Sequence, residues 1–172
     1  MSASEPRADG RREQAASVLA SLPDEAWPLA LQGVEAARYA VESDYGYLGG
    51  LVNMQVVESE DGDSVLSMEV TPNALNSAGY VHGGFLFTLA DYAMGAAARS
   101  LIDADHRVVT LEAKANYLGN VRQGRLIARC HTLHHGRHVI MLETRILDAK
   151  TQELIVIVTG TFYVVQQDSG SS

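Results

Sequence analysis

The sequence contains one cysteine, few aromatic residues and no long apolar run. Cys130 stands alone among 172 residues, which excludes an internal disulfide and a zinc site built from several cysteines. The longest uninterrupted apolar run, residues 154–158, is far too short for a helix that crosses a bilayer. The first 14 residues are polar and lack the apolar core of a signal peptide. We therefore expect a cytoplasmic protein that does not bind membranes.

Basic side chains are in the minority, since 13 Lys and Arg stand against 21 Asp and Glu, for a formal net charge of −8. An acidic chain of this kind lacks the broad basic surface that nucleic-acid binding needs, so no nucleic-acid partner is expected. With 47% hydrophobic and 20% charged residues, the chain has enough apolar material to bury a core. Its length suits one domain with a short extension.

The charge is distributed unevenly, because residues 113–142 contain no Asp or Glu. Five basic residues lie in this segment: Lys114, Arg122, Arg125, Arg129 and Arg137. The segment thus has a formal net charge of +5. The rest of the chain, with 8 basic and 21 acidic side chains, has a formal net charge of −13. One basic face on an acidic protein suits a small anionic ligand. The charges alone leave open the alternative of an ordinary solvated face of two strands.

Apolar spacing predicts short helices in the N-terminal part of the chain, and strands with one long helix in the rest. Residues 1–45 are interpreted as a tail with one or two short helices, interrupted at Pro23 and Pro28. Residues 81–101 are the one long helix candidate further on, because apolar residues recur there at steps of three and four. Strand-like runs with short breaks cover the segments 51–60, 65–70, 107–118, 124–133, 138–147 and 153–165.

This order of elements, β-β-α-β-β-β-β, does not fit an alternating β-α-β sheet. It predicts the α+β class, with an antiparallel β-sheet wrapped around one long central helix. The N-terminal extension occupies residues 1–45 and the main domain residues 46–168. Such a sheet has open edges and the helix has a bare flank, so dimerisation is expected.

Asp91 is the only formally charged side chain in residues 82–98. Its neighbours three and four positions away along a helix are Phe87, Thr88, Met94 and Gly95, and none of them is a cation. A carboxylate on an apolar helix is costly unless a specific group solvates it. Three explanations stay open: Asp91 points to solvent, a distant residue holds it, or it is a catalytic base.

The same helix begins with His82, Gly83 and Gly84. Glycines at this end expose backbone N–H groups that have no partner within the helix, and the helix dipole there favours a carbonyl oxygen. The alternative is that both glycines only permit tight packing. Gly83 and Asp91 are about 12 Å apart along the axis and rotated by about 80°, so one helix cannot present both groups to one carbonyl. Two antiparallel helices of two chains can, which predicts a site at a two-fold interface.

The run from Asn76 through His82-Gly83-Gly84 to Asp91 resembles the signature of hotdog-fold acyl-CoA thioesterases of the phenylacetate-pathway type. The resemblance covers about residues 49–165. It implies the hotdog fold, hydrolysis of acyl-CoA thioesters without a cofactor or metal, and a homodimer assembled as a homotetramer.

The resemblance also implies roles for single residues. Asp91 matches the catalytic carboxylate, as general base or nucleophile, and Gly83 matches the backbone N–H that polarises the thioester carbonyl. His82 matches a residue that holds this end of the site, and Asn76 a side chain that orients the thioester or the water. Thr110 matches a strand residue that positions the water; the alternatives are a register shifted by one position, or an ordinary β-branched strand residue.

Coenzyme A carries phosphates, and related enzymes hold it with basic residues at strand ends. Arg137, in a turn with Gly136, is the first candidate, followed by Arg122 and Arg125; Gly84 is a further candidate for substrate contact. No acidic ligand lies near the four histidines of this segment, so no metal site is expected. The histidines are His131, His134, His135 and His138.

The sequence leaves two alternatives to a thioesterase open. A hotdog domain that only binds acyl-CoA as a sensor is the main one, and the unpaired Asp91 argues against it. A hydratase or dehydratase on the same fold is a minor one, because its His and acid are arranged differently. The sequence contains no Gly-x-Ser-x-Gly elbow and no P-loop, so serine-hydrolase and nucleotide-binding functions have no support.

Overall fold

The computed structural model describes residues 8–167, so the first seven residues of the predicted extension and residue 168 of the predicted main domain lie outside the described residues. Within them, the α-helices are α1 Ala8–Ala20, α2 Trp27–Glu42, α3 Gly46–Leu51 and α4 Gly83–Arg99. The strands are β1 Met54–Glu60, β2 Asp63–Glu69, β3 His106–Tyr117, β4 Arg125–His135, β5 Val139–Asp148 and β6 Leu154–Gln166. No described helix is long and apolar enough to cross a membrane.

The six strands form one antiparallel sheet in the order β1-β2-β4-β5-β6-β3. Helix α4 contacts every strand, so the sheet wraps around it. The predicted element order and the α+β architecture, a sheet around one long helix with N-terminal helices, are confirmed. Strands β1 and β3 are left as the two edges.

The buried side of α4 is formed by small and medium residues at helical spacing. Leu89, Ala93 and Ala97 are completely buried, and Met94 is buried against Gly160 of β6. A Cβ at Gly160 would lie 2.9 Å from the Met94 sulfur, so this glycine lets the strand approach the helix closely. The periodicity that predicted the helix therefore also marks its buried face.

The hairpin between β1 and β2 turns where the sequence predicted it. Asp61 and Gly62 have φ angles of 49° and 85°, the left-handed values of a two-residue hairpin turn. The predicted start of the first strand at residue 51 is wrong, because residues 46–51 form α3. Gly50 explains the difference: a Cβ there would lie 2.7 Å from the Ala36 Cα, so α3 packs directly on α2.

Helix α2 is fastened to the main domain by one of its side chains. Gln32 donates from Nε2 to the Leu51 carbonyl over 2.7 Å. Its Oε1 accepts hydrogen bonds from the Thr71 hydroxyl and from Nδ2 of Asn73, in the loop that follows β2. The α2 helix and the segment leading to α4 are thereby held together.

Candidate active site

An open groove of about 700 Å³ runs along the less buried side of α4. Its floor consists of Asp91, Tyr92, Gly95, Ala96 and Arg99, which share one face of the helix. One wall is formed by Val108 of β3 and Phe162 of β6, and the other by Ser59 of β1 with Asp44 and Tyr45 from the connection between α2 and α3. The bare flank predicted for the helix is thus a groove with Asp91 in its floor.

Asp91 is half-buried, and its Oδ1 accepts a hydrogen bond of 3.1 Å from the Thr110 hydroxyl. Within residues 8–167 it forms no ion pair. Burial raises the pKa of the Asp91 carboxyl above its ordinary value, and the hydrogen bond from Thr110 partly opposes that rise. Of the three explanations for this carboxylate, simple exposure to solvent does not fit, and its intramolecular partner is a neutral hydroxyl.

Thr110 itself, rather than a neighbour in the strand, faces Asp91. The residue pairs with Phe162 of β6, and the register shifts immediately afterwards, between Thr110 and Glu112. A bulge at this position re-aims the side chains of an edge strand. Thr110 is thus the strand residue whose hydroxyl contacts Asp91, and this hydroxyl retains lone pairs that can accept from a water.

The N-terminus of α4 is capped by His82. Its Nδ1 accepts a hydrogen bond of 3.0 Å from the Gly84 N–H, so the neutral ring carries its proton on Nε2. The backbone N–H of His82 donates to the Ala74 carbonyl over 2.7 Å, and this bond anchors the cap. Gly83 differs from Gly84, because its N–H donates to no acceptor in the described part of the chain. The amide that remains available at this terminus is that of Gly83.

Asn76 uses its side-chain carbonyl within its own loop. Oδ1 accepts from the backbone N–H groups of Ala78 and Tyr80, over 2.9 and 3.2 Å. The backbone N–H of Asn76 also donates to the Tyr80 carbonyl over 2.7 Å. The side chain thus shapes the turn that leads into α4, and its amide nitrogen is the group left for the predicted contact with a thioester or water.

Tyr117 is a residue of this region that the sequence did not single out. Its hydroxyl donates to the Gly83 carbonyl over 3.1 Å, and a Cβ at Gly83 would lie 3.2 Å from the ring. Tyr45 and Tyr92 of the groove were missed as well. Tyr92 follows Asp91 directly, which is a usable signal, whereas Tyr45 and Tyr117 come from distant parts of the chain and no local pattern points to them.

The basic residues of segment 113–142 do not form the single face that the charge pattern predicted. Arg122 lies over the Tyr80 ring, 3.8 Å from its centre, and donates to the Ala78 carbonyl. Arg125 pairs with Glu69 over 3.0 Å. Lys114 lies on β3, three strands away from Arg125 and Arg129 on β4, so sheet order separates charges that are close in sequence.

Arg137 lies in the exposed turn between β4 and β5 next to Gly136, where the sequence placed both. Within the described residues its side chain makes no hydrogen bond or ion pair. The turn lies beside Leu101 and Asp103, after the C-terminus of α4, whereas Arg122 lies at the N-terminal end of that helix. Among the predicted phosphate ligands, Arg137 is therefore the one whose guanidinium is free.

The described residues contain one group whose ligand atoms are close enough to hold a metal ion, and it lies outside the histidine segment, where no metal site was expected. Asp103, Asp105 and His106 bring ligand atoms within 4.8 Å of one another before and at the start of β3. The group is largely exposed, and the Asp105 carboxylate already bonds His106 over 2.9 Å.

Comparison with known proteins identifies the family. A family model described as the thioesterase superfamily matches residues 78–155, from the loop before α4 into β6. A 1,4-dihydroxy-2-naphthoyl-CoA hydrolase of Listeria monocytogenes is 32% identical over 113 residues, which are 66% of this chain and 91% of that protein. The chain belongs to the thioesterase superfamily. It is a thioester hydrolase with the hotdog fold.

Solved structures agree with this assignment. A conserved protein of Pseudomonas aeruginosa superposes with a TM-score of 0.66 at 32% identity, covering 75% of this thioesterase and 99% of that chain. A hypothetical thioesterase of Streptococcus pneumoniae, solved with coenzyme A, superposes with a TM-score of 0.62 at 30% identity, covering 68% and 89%. The fold and the enzyme class that the resemblance implied are thereby confirmed.

Proposed function

We propose that this thioesterase hydrolyses acyl-CoA thioesters to the free acid and coenzyme A, with Asp91 as its catalytic carboxylate. The observation that carries the proposal is the half-buried Asp91 in an open groove, bonded to the Thr110 hydroxyl and to no cation in residues 8–167. The hydrolase from Listeria and the coenzyme A complex from Streptococcus support the choice of acyl-CoA.

The proposed reaction needs a base and an oxyanion site. The thioester oxygen accepts from the Gly83 N–H, at the positive end of α4. Asp91 takes a proton from a water that Thr110 helps to hold, and the water oxygen attacks the carbonyl carbon. The tetrahedral intermediate then breaks its C–S bond, and the leaving thiolate receives the proton that Asp91 accepted. Direct attack by Asp91, followed by hydrolysis of the resulting anhydride, remains the alternative course.

The proposed site needs two chains. Gly83 and Asp91 lie eight residues apart on one helix, about 12 Å along the axis, too far for one carbonyl group. We propose that the Gly83 of one protomer meets the Asp91 of its partner, which gives two sites per homodimer. A homotetramer formed from two such dimers is proposed on the resemblance alone, and light scattering after gel filtration measures both states.

Strand β3 is the edge best suited to form that dimer. It is 12 residues long and exposes the apolar side chains of Val109, Leu111 and Tyr117. The opposite edge, β1, has only 7 residues and exposes Glu58 and Glu60, and a short, acidic edge discourages edge-to-edge pairing. Pairing of two β3 strands would also place the Asp91 grooves of both chains beside the interface, because Thr110 and Val108 belong to β3.

We further propose an aromatic acyl group, in line with the phenylacetate-pathway type. The groove presents the rings of Tyr45, Tyr92 and Phe162 near Asp91, which suits a flat apolar group. This proposal is tested by measuring the hydrolysis of phenylacetyl-, benzoyl-, hexanoyl- and dodecanoyl-CoA through the release of the coenzyme A thiol. Aromatic substrates are expected to have the higher kcat/KM. If none of the four is hydrolysed although acyl-CoA binds tightly, the sensor alternative replaces the enzyme.

The division of the chain into an extension of residues 1–45 and a thioesterase domain of residues 46–168 is also retained as a proposal. The packing of α3 on α2 supports a firm junction between the two parts, with Gly50 against Ala36.

Replacing Arg137 by alanine is expected to raise KM for acyl-CoA about tenfold and to leave kcat nearly unchanged. The free guanidinium in the turn between β4 and β5 is proposed to pair with a phosphate of coenzyme A, far from the reacting carbonyl. Steady-state kinetics of the purified variant measure both constants. Arg129→Ala, on the exposed face of β4, is the matched control and should change neither. An unchanged KM for Arg137→Ala would remove this residue from the docking site.

A further inference from the structure

The connection between α2 and α3 reaches the groove of Asp91 from the N-terminal extension. Asp44 and Tyr45 line this groove opposite Val108 and Phe162. The match to the superfamily begins at residue 78, so Tyr45 precedes it by about thirty residues. One wall of the groove is therefore supplied by a part of the chain outside the matched segment.

Tyr45 is fastened to the helix residue that follows Asp91. The Tyr92 hydroxyl donates to the Tyr45 carbonyl over 2.6 Å. The two rings meet edge to face, with their centres 6.0 Å apart, which is a favourable aromatic arrangement. Both rings are half-buried and pack against the core. This contact ties the extension to the floor of the groove.

The two helices that flank Tyr45 are held against each other. Gln32 of α2 donates to the Leu51 carbonyl of α3 over 2.7 Å. Gly50 of α3 packs directly against Ala36 of α2. A connection supported in this way acts as a fixed wall, and the size of the space beside Asp91 then depends on the Tyr45 side chain.

We propose that Tyr45, positioned by Tyr92, forms the end wall of the acyl site and selects the acyl group by size. This inference rests on the proposed hydrolysis of acyl-CoA at Asp91. A rigid aromatic pair limits the length of the group that fits while its thioester reaches the catalytic carboxylate. The extension thus acts as a specificity element of the enzyme, in addition to any structural role.

The test compares a compact aromatic substrate, phenylacetyl-CoA, with a long one, dodecanoyl-CoA, in wild type and Tyr45→Ala. The ratio of their kcat/KM values is expected to shift at least tenfold towards dodecanoyl-CoA, because a void replaces the ring. Tyr45→Phe keeps the ring and the backbone carbonyl, so its ratio should stay at the wild-type value. Tyr92→Phe loses the hydrogen bond and should shift the ratio in the same direction by a smaller factor.

Tyr47→Ala is the matched control, because Tyr47 belongs to α3 and is 49% exposed. An unchanged ratio in a folded Tyr45→Ala protein overturns the inference, and so does an equal loss for both substrates, which indicates a structural role only. If Tyr45→Ala does not fold, Tyr45→Leu is used instead, and its kcat/KM ratio is expected to shift towards dodecanoyl-CoA as well.

Failure of the proposed function has a different signature. In that case wild type hydrolyses neither substrate, and the size preference is measured as the affinity for non-hydrolysable thioether analogues of the same two acyl-CoAs. Tyr45→Ala should then shift relative affinity towards the dodecyl analogue, and an unchanged preference overturns the inference in this setting as well.

Discussion

Asp91→Asn is expected to lower kcat for acyl-CoA hydrolysis by about 10²- to 10⁴-fold, the range that a general base contributes. The amide has the shape of the carboxylate and can still accept from the Thr110 hydroxyl, so the groove keeps its geometry. It cannot take a proton from water or act as a nucleophile. Thiol release by the purified variant at saturating substrate measures the loss.

An exposed carboxylate outside the groove supplies the control for this prediction. Asp103→Asn removes a charge of the same type in the loop after α4 and should retain wild-type kcat. Full activity of Asp91→Asn would contradict the proposed function, because no other described carboxylate bonds Thr110 in the groove.

The raised pKa of Asp91 has consequences for rate and stability. The rate should increase with pH as the carboxyl ionises, with a midpoint above the ordinary aspartate value, since burial raises this pKa more than Thr110 lowers it.

For stability, the raised pKa means that the folded state binds the Asp91 proton more tightly than the unfolded state does. The stabilisation from this proton is present below the unfolded pKa and is lost as pH rises through the folded pKa. At pH 7 the ionised Asp91 carboxylate therefore disfavours folding. Asp91→Asn, which is uncharged, should have a higher Tm than wild type. In acid the difference in Tm should disappear.

Gly83→Pro should lower kcat by about 10²- to 10³-fold, the usual effect of losing one oxyanion donor. Proline removes the N–H that is proposed to polarise the thioester. It is tolerated at the first position of a helix, and the extended ψ of 134° at His82 suits a residue that precedes proline. Circular dichroism verifies the fold, and kinetics with phenylacetyl-CoA measure the rate.

Gly83→Ala separates the lost N–H from steric effects. Alanine keeps the N–H and adds the same Cβ, which would lie 3.2 Å from the ring of the exposed Tyr117. This variant should retain most of the activity. Equal losses in Gly83→Pro and Gly83→Ala would show that crowding against Tyr117, and not the amide, is responsible.

Mixing the two inactive variants tests whether the site is shared between chains. A dimer of one Asp91→Asn chain and one Gly83→Pro chain has one site with both groups intact if the site is shared. Random mixing should then restore about a quarter of wild-type activity, since half of the dimers are mixed and each has one of two sites. If both groups acted within one chain, every site would lack one of them and no activity would return.

Much of the fold followed from local periodicity. Apolar residues at steps of three and four predicted α4, and alternating runs predicted the six strands, with bounds that differ by a few residues. The turn at Asp61 and Gly62 was readable because these residue types adopt the left-handed values that a hairpin turn needs. The predicted start of the first strand at residue 51 was wrong because residues 46–51 form α3, in which Gly50 packs on Ala36, a contact between residues that are distant in sequence.

In the candidate site, too, some features follow from the sequence and others from the tertiary structure. The sequence by itself determined that a lone carboxylate and a glycine-rich terminus lie on one helix, and the helical repeat was enough to show that they cannot serve one carbonyl together. Only the tertiary structure decided that Thr110 faces Asp91 and that Tyr45 and Tyr117 join the region. It also divided the basic segment between separate strands and turns. The physical reason is that helical and strand periodicities act over a few residues, whereas these contacts join groups 19 to 47 positions apart through sheet order and packing.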